Sequence, residues 1–389
     1  MRRSKMVRKI SEGVYFVGVI DWDRELFDEL IPLPNGTTYN AYIIKGEKVA
    51  LIDTVDPDKE EEFYRNLKKL NIEKIDYVIS NHAEQDHSGL IKEVVEKFGA
   101  KVVTNRKCAE LLKDHLHIEE NDVIEISEGD ELDLGGKTLK FYMAPWVHWP
   151  ETMVTYLKED KILFSCDFFG SHYATSEIVK EVKDVLNEAK RYYAEIMMPF
   201  RKQVMKNIEK VETLEIEKIA PSHGPIYKDP ENIIRAYKKW AGDEVEKEVV
   251  VLYVSMHGSV KKMIEYVVDG LMNKGIKVKL HNVTKSDIGQ IAIDLVEAST
   301  VVVGVPMVLA GLHPKIAEVV YLMNALRPKT KYIGIVGSYG WGGRFIEELK
   351  GMLKNVKADI LGEVVVKGLI KEKEYVKLDE LIENISKVN

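Results

Sequence analysis

Cysteine is nearly missing. The 389-residue chain has two, Cys108 and Cys166, far apart and in no Cys-x-x-Cys pair. That excludes a disulfide framework and a cysteine-ligated iron–sulfur or structural zinc site. Reduced thiols are the default for such a chain, and the cytoplasm is its expected location. A basic excess is missing too: 56 Lys and Arg stand against 63 Asp and Glu, a net charge of −7. This argues against a nucleic-acid partner. The longest apolar run, VVVGVPMVLAGL at 301–312, falls short of the roughly 20 residues a bilayer span needs. The first residues, MRRSKMVRKISEG, hold no apolar stretch before a small-residue cleavage site, so neither a leader nor a membrane partner is expected. There is no GxGxxG dinucleotide motif, no internal repeat and no low-complexity segment.

What is present is enough apolar material for real cores. Hydrophobic residues make up 45% and charged residues 31%, which sets the chain apart from disordered sequences. Mixed charge runs such as DPDKEEEFYRNLKK read as solvated helix faces. Lys/Glu richness of this kind also suits a thermophile.

The chain has two halves with different rhythms. Up to about Trp240, short strand-like runs dominate: VYFVGVI, NAYIIKG, VALIDT, DYVIS, KVVTN, LKFYMA, MVTYLKE and KILFSCD. Helical stretches such as Pro57 to Leu70 and Gly89 to Phe98 interleave with them. That alternation predicts an α/β or α+β sandwich. The polar run WAGDEVEKE at 240–248 reads as a linker. After it come VVVLYV, an amphipathic helix over 259–275, KVKLH, a helix from about Asp287, TVVVG, a helix from Pro314 to Leu326, YIGIV, a helix from Arg344 to Lys354, ILGEVVV and a last helix near LDELIENISK. Continuous β-branched strands mean both sheet faces are covered, hence a parallel sheet. Five such strands in about 140 residues fit a flavodoxin-like doubly wound fold, with a ligand site where strand order reverses. The predicted domains are 1–246 and 247–389.

Chemistry-bearing residues gather at strand ends. NHAEQDHSG follows an apolar strand and spaces His82, Glu84 and Asp86 two residues apart, so that their side chains can converge in an extended or turn-like segment. A polar loop followed by a helix cap would look similar. PWVHWPETM offers His148, LFSCDFFGS offers Asp167 and IAPSHGPIY offers His223, each after a β-like run. A strand end fixes the backbone from which such a residue reaches into a site. In the second half, Ser255, Met256, His257, Gly258, Ser259 and Val260 lie between a buried strand and a helix. A phosphate there meets backbone N–H groups, hydroxyls and a helix N-terminus. Pro306, Met307, Val308 and Leu309 follow the third strand; Ser338, Tyr339, Gly340, Trp341 and Gly342 follow the fourth.

In binuclear zinc hydrolases of the metallo-β-lactamase type the box reads His-x-His-x-Asp-His; here Glu84 stands at the second histidine. With that change, the whole chain resembles the flavodiiron proteins. The resemblance implies an α/β architecture: a metallo-β-lactamase-like αββα sandwich followed by a flavodoxin-like doubly wound parallel sheet. It implies two non-haem irons with an oxygen bridge, one bound by His82, Glu84 and His148, the other by Asp86 and His223, with Asp167 bridging. His87 is then expected just outside the ligand set. It also implies FMN in the three loops above. Val260 stands where a Thr is common there, and Met307-Val308-Leu309 replace polar residues, so backbone groups must serve the flavin edge. Carboxylates in place of imidazole make chemical sense, because hard anionic donors stabilise ferric iron, whereas a hydrolase needs a redox-silent Lewis acid.

The activity implied is reduction of dioxygen to water, of nitric oxide to nitrous oxide, or of both, protecting the cell from oxygen or nitrosative stress. The partners implied are a separate electron donor, either rubredoxin or a reduced deazaflavin coenzyme, and a second copy of the chain in a head-to-tail homodimer or a dimer of dimers. A metal-dependent hydrolase with a regulatory flavodoxin-like module, and an electron carrier with a scaffold metal domain, are the alternatives from other classes. Trp146 and Trp149 flank His148 and could exclude water from it, or could equally be ordinary core aromatics. Tyr192 or Tyr193 could supply a hydrogen bond or proton near the site, although a buried tyrosine usually just finds a partner, and Cys166 is expected to act as a small buried hydrophobe.

Overall fold

Alternation of buried side chains explains the N-terminal layers. In the strands Tyr42–Lys45 and Val49–Ile52, Ile43 and Leu51 face one way while Tyr42, Ile44, Ala50 and Ile52 face the other. The first set packs under the helices Glu60–Lys69, Ile91–Phe98 and Arg106–Leu116 through Phe63, Leu67, Val94 and Leu112. The second set meets Leu139, Phe141, Met153, Leu157 and Phe164 of another sheet. Burying each such side chain contributes roughly 1.5–3 kcal/mol.

The chain is described here by a computed structural model over residues 8–389; residues 1–7, part of the stretch read above for a leader, lie outside the described residues. It folds as two compact units. One holds the described residues through Tyr193 together with Phe200–Ala241, the other Ala194–Pro199 and Gly242–Asn389. The first unit has two seven-stranded sheets face to face. One runs Arg8–Ser11, Val14–Phe16, Tyr42–Lys45, Val49–Ile52, Tyr77–Ile79, Lys101–Thr104, Val123–Glu125; the other runs Glu131–Asp133, Thr138–Met143, Met153–Leu157, Ile162–Cys166, Lys218–Pro221, Ile226–Tyr227, Val179–Lys180. Helices cover the sandwich, as the metallo-β-lactamase-like expectation requires.

The charged run 56–69 forms a short turn and the helix Glu60–Lys69, with Glu60, Glu61 and Glu62 in the first turn and Lys68 and Lys69 in the last. That order complements the helix dipole. Two expectations are corrected in detail. VYFVGVI is not one strand, because the chain breaks between Val14–Phe16 and Val19–Asp21 and the second piece pairs with Thr37–Tyr39 instead. WAGDEVEKE is mostly not linker: Trp240 and Ala241 close a helix, and Glu246 already opens a strand. Glu248 is buried there because Lys277 and Lys279 of the neighbouring strand pair with its carboxylate.

In the second unit the strand order is Lys277–Asn282, Glu246–Tyr253, Ala298–Val308, Tyr332–Tyr339, Asp359–Lys367, all parallel. This is the expected doubly wound sheet. Both faces are covered, one by the helices Ser259–Asn273 and Tyr375–Val388, the other by Ile288–Leu295, Pro314–Leu326 and Phe345–Met352. Among the described residues no helix is long and apolar enough to cross a membrane.

Candidate metal centre and flavin site

The box begins where the strand Tyr77–Ile79 ends. Asn81 is pinned there from several sides: its N–H and Nδ2 donate to Asp53 at 2.8 and 2.9 Å, and its Oδ1 accepts from Thr155 at 2.7 Å. His82 is thereby fixed. Glu84 takes the N-cap position of the short helix Gln85–Ser88, yet its side chain makes no capping bond. Its carboxylate turns to the histidines instead, 3.1 Å from His82 Nε2 and 3.2 Å from His148 Nε2.

Asp167 stands between two groups. Its Oδ2 is 3.6 Å from His82 Nε2 and 3.5 Å from His148 Nε2. Its Oδ1 is 3.1 Å from His87 Nε2 and 3.5 Å from His223 Nε2, and accepts the Tyr192 hydroxyl at 2.9 Å. Asp86 completes the second group, 3.1 Å from His223 Nε2 and 3.3 Å from His87 Nε2. His82, Glu84, His148 and Asp167 could hold one ion, and Asp86, His87 and His223 another. All six residues singled out in the sequence are therefore brought together. His87, expected just outside, points its Nε2 inward beside Asp86.

The donor chemistry fits two metals. Both Asp86 oxygens, Asp167 Oδ2, His87 Nε2 and His223 Nε2 are buried without a hydrogen-bond partner. Leaving such groups unpaired is costly unless cations satisfy them. The local electrostatics agree. Burial opposes charge on His148, but Asp167 and Glu84 outweigh it and raise the ring to about 10. Burial likewise opposes charge on Glu84, and His148 and His82 overcome it to hold the carboxyl below its usual range. For Asp167 the same contest is won chiefly by His87 and His148, which lower it.

Some surrounding residues were not signalled by the sequence. Glu151 lies 2.7 Å from His82 Nδ1, and Thr38 O lies 2.6 Å from His223 Nδ1. Buried His172 packs on His223 with ring centroids 4.9 Å apart, and Thr37 bonds its Nδ1 at 2.9 Å. Burial and the neighbouring His223 keep the His172 ring neutral by lowering its pKa. Burial also raises Asp53, to about 6. Glu151 shares a run with His148, but no local pattern reveals that its carboxylate crosses to His82. The tryptophans divide: Trp149 stands edge-on to His82 at 4.8 Å, whereas Trp146 is 45% exposed and stacks on Phe200. Tyr193 packs on Tyr237 and Trp240, so of the two tyrosines Tyr192 alone reaches Asp167. Cys166 is buried, as expected.

In the second unit a cavity of about 350 Å³ opens at the strand C-terminal ends. Ser255, Met256, His257, Ser259 and Val260 line one side, Pro306 and Met307 another, Ser338, Tyr339 and Gly340 a third. It sits where the strand order reverses, between Glu246–Tyr253 and Ala298–Val308. Gly258, with φ at 88°, precedes the helix Ser259–Asn273, whose Lys261 N–H donates to Ser255 Oγ at 3.1 Å. A helix N-terminus that meets a cavity lined by Ser255, His257 and Ser259 suits a phosphate, and the apolar Met307, Pro306 and Val260 suit a ring, so the cavity fits FMN.

Gly258, Val308, Leu309, Trp341 and Gly342 do not line this cavity. Val308 and Leu309 enter a tight hairpin closed by Gly311, which carries Leu309 out to 91% exposure. Trp341 is 62% exposed. A fourth wall, Gly368 and Leu369 after the last strand, was not foreseen. Gly368 O accepts the hydroxyls of Ser259 at 2.6 Å and Ser338 at 2.9 Å, tying three loops together.

A β-lactamase-like sandwich with a carboxylate-rich pair of metal positions, followed by a flavodoxin-like sheet, defines a redox flavoprotein class, and comparison with known proteins gives the same answer. The family description "ODP family beta lactamase" matches residues 37–224 and "Flavodoxin" matches 251–383. The chain is 35% identical to the coenzyme F420H(2) oxidase of Methanothermobacter marburgensis, over 92% of each chain. It is 36% identical to the nitric oxide reductase of Moorella thermoacetica, over 91% of each. The solved rubredoxin oxygen:oxidoreductase of Desulfovibrio gigas superposes with a TM-score of 0.94 at 30% identity, covering 98% of both chains. The chain belongs to the flavodiiron protein family and is an oxidoreductase. FMN and a diiron centre are the cofactors of that class.

Proposed function

We propose that this protein reduces dioxygen to water, nitric oxide to nitrous oxide, or both, in residues 1–246, with electrons from FMN held in residues 247–389. The carrying observation is the Glu84 carboxylate between His82 and His148, in a cluster where both Asp86 oxygens, Asp167 Oδ2 and the Nε2 atoms of His87 and His223 lack hydrogen-bond partners. In this reading His82, Glu84 and His148 would hold one iron and Asp86 and His223 the other, with Asp167 lying between the two groups. FMN and two ferrous irons, when bound, supply the electrons: four for dioxygen, two for a pair of nitric oxide molecules.

The chain's own residues do the remaining work. Ser255, His257 and Ser259, where the helix Ser259–Asn273 begins, would bind the phosphate. Pro306, Met307, Tyr339 and Gly340 hold the ring, with Trp341 free to lie against it from the rim. Trp149 and Phe27 wall the metal cluster, packed on His82 and His223 at centroid distances of 4.8 and 6.2 Å, and limit water entry. Tyr192 O–H donates to Asp167 Oδ1 and orients that carboxylate.

The names of two relatives support a reading of the electron source. One is named an oxidase of coenzyme F420H(2), another a rubredoxin oxidoreductase. The donor in this reading is a separate molecule, rubredoxin or a reduced deazaflavin. The working form is a homodimer or a dimer of dimers in the cytoplasm. Glu84→His tests the assignment at its centre. The variant should favour zinc over iron and lose gas-reducing turnover; unchanged iron content and turnover would count against the role given to Glu84.

A further inference from the structure

We infer that Glu151 is a positioning residue that makes the two metal positions unequal, by backing the His82 ring with a carboxylate bonded to its Nδ1, a bond that neither His87 nor His223 makes at the other position. The inference rests on the diiron reading above and deepens it.

Glu151 has a fully buried side chain. Its Oε1 lies 2.7 Å from His82 Nδ1 and accepts the Ala83 N–H at 3.1 Å. Its backbone oxygen accepts Asn105 Nδ2 at 2.7 Å, and Asn105 in turn caps the helix Arg106–Leu116 through Cys108 N–H at 3.2 Å. The residue is thus anchored at both ends, three positions beyond His148. Oε1 already acts as an acceptor for Ala83, so His82 Nδ1 carries the donated proton. The Nε2 lone pair then faces Glu84 and Asp167.

The Asp86 side is built differently. His223 Nδ1 faces a neutral carbonyl, Thr38 O, at 2.6 Å. His87 Nδ1 is buried with no hydrogen-bond partner. A carboxylate behind an imidazole raises its basicity more than a carbonyl does. The position of His82, Glu84 and His148 therefore binds its metal more tightly and favours the higher oxidation state relative to its neighbour. One carboxylate also links two ligand-bearing loops, since Glu151 belongs to the His148 loop and bonds the His82 turn. Both effects act on the same metal position.

Glu151→Gln isolates the charge. The amide oxygen can keep the bonds to His82 and Ala83, and the other atom, Oε2, has no partner to lose. The full chain, loaded with FMN and iron-57, is examined by Mössbauer spectroscopy and by iron release to a chelator. The wild type should show two quadrupole doublets. In Glu151→Gln one doublet should shift while the other stays, and one iron of the pair should leave about 10–100-fold more readily, with the flavin spectrum unchanged. Doublets that stay put, or move together, would overturn the inference. Should the variant not fold, stepwise loading of the wild type decides: the first equivalent of iron-57 should give one doublet and the second should add the other. Both doublets growing together would contradict it. Iron content separates the two levels of failure. A wild type that does not hold two irons sinks the diiron reading and this inference with it; one that holds two irons with an unmoved variant spectrum sinks only the inference.

Discussion

Asp167 lies where the two groups of candidate metal ligands meet. Its oxygens divide between His82 and His148 on one side and His87, His223 and Tyr192 on the other. Asp167→Ala should therefore lose both metals rather than one. Metal analysis should find little iron and turnover should vanish, while the flavin absorbance stays. Retention of one full iron would contradict the spanning role. The residue types and spacing of His82, Glu84, Asp86, His148, Asp167 and His223 were legible in the sequence because each follows a strand-like run. The residues behind them were not. Asp53, Glu151, Thr38 and His172 act through partners 28 to 185 positions away, and no local pattern carries that distance. Nor does sequence reveal that Asp53, Cys166 and Phe169 adopt positive φ of 53°, 54° and 69° beside the site. Such backbone, unusual for residues with a side chain, persists only where surrounding contacts hold it.

At the scale of elements, the turns after strands carry the chemistry. Gly224 follows His223 with φ at 83°, and a Cβ there would fall 2.0 Å from Ser171 Oγ and 2.6 Å from Ser171 O. Its N–H also donates to Thr38 Oγ1 at 2.7 Å. Gly224→Ala should destabilise the fold by about 1–3 kcal/mol and weaken metal retention, because left-handed strain and overpacking act together. Thermal unfolding and iron content check both parts. The flavin loops give a second case. Trp341 lies beyond the cavity rim and is exposed. An exposed ring beside an apolar cavity gains burial by lying on a bound flavin. Trp341→Ala should weaken FMN binding and change its absorbance; an unchanged affinity and spectrum would place that ring elsewhere. The parallel strands of the second unit were legible because continuous Val and Ile runs leave little else to form. In the first unit the periodicity is shorter, and VYFVGVI concealed a break that only its partner strand Thr37–Tyr39 explains. Gly368 and Leu369 were missed for a related reason: the fifth strand end has no phosphate-like or aromatic signature, and its part in the cavity comes from sheet order.

For the whole molecule, metal and proton compete for the same cluster. In the metal-free protein His148 is raised from the ordinary 6.5 to about 10, against its burial, by Asp167 and Glu84. A raised folded-state value means stabilisation that is complete below 6.5 and is lost as pH rises through about 10. The melting temperature of the metal-free protein should therefore fall as pH is raised across that window. The metal-loaded protein, in which the ring is a neutral ligand, should lack that slope. Equal slopes with and without metal would mean that His148 does not exchange a proton for a metal. Across the chain, the succession of a β-lactamase-like sandwich and a flavodoxin-like sheet was readable from the change of rhythm near 240–248. The point of change was blurred because Glu246–Glu248, polar in sequence, already belong to a strand.

The most direct test of the central claim is to load the chain with iron and FMN, reduce it without air, and follow consumption of dioxygen and nitric oxide side by side. The account predicts that at least one gas is consumed at several electron equivalents per chain, with flavin and iron oxidised together. If neither gas is consumed by protein carrying full iron and flavin, the redox account fails.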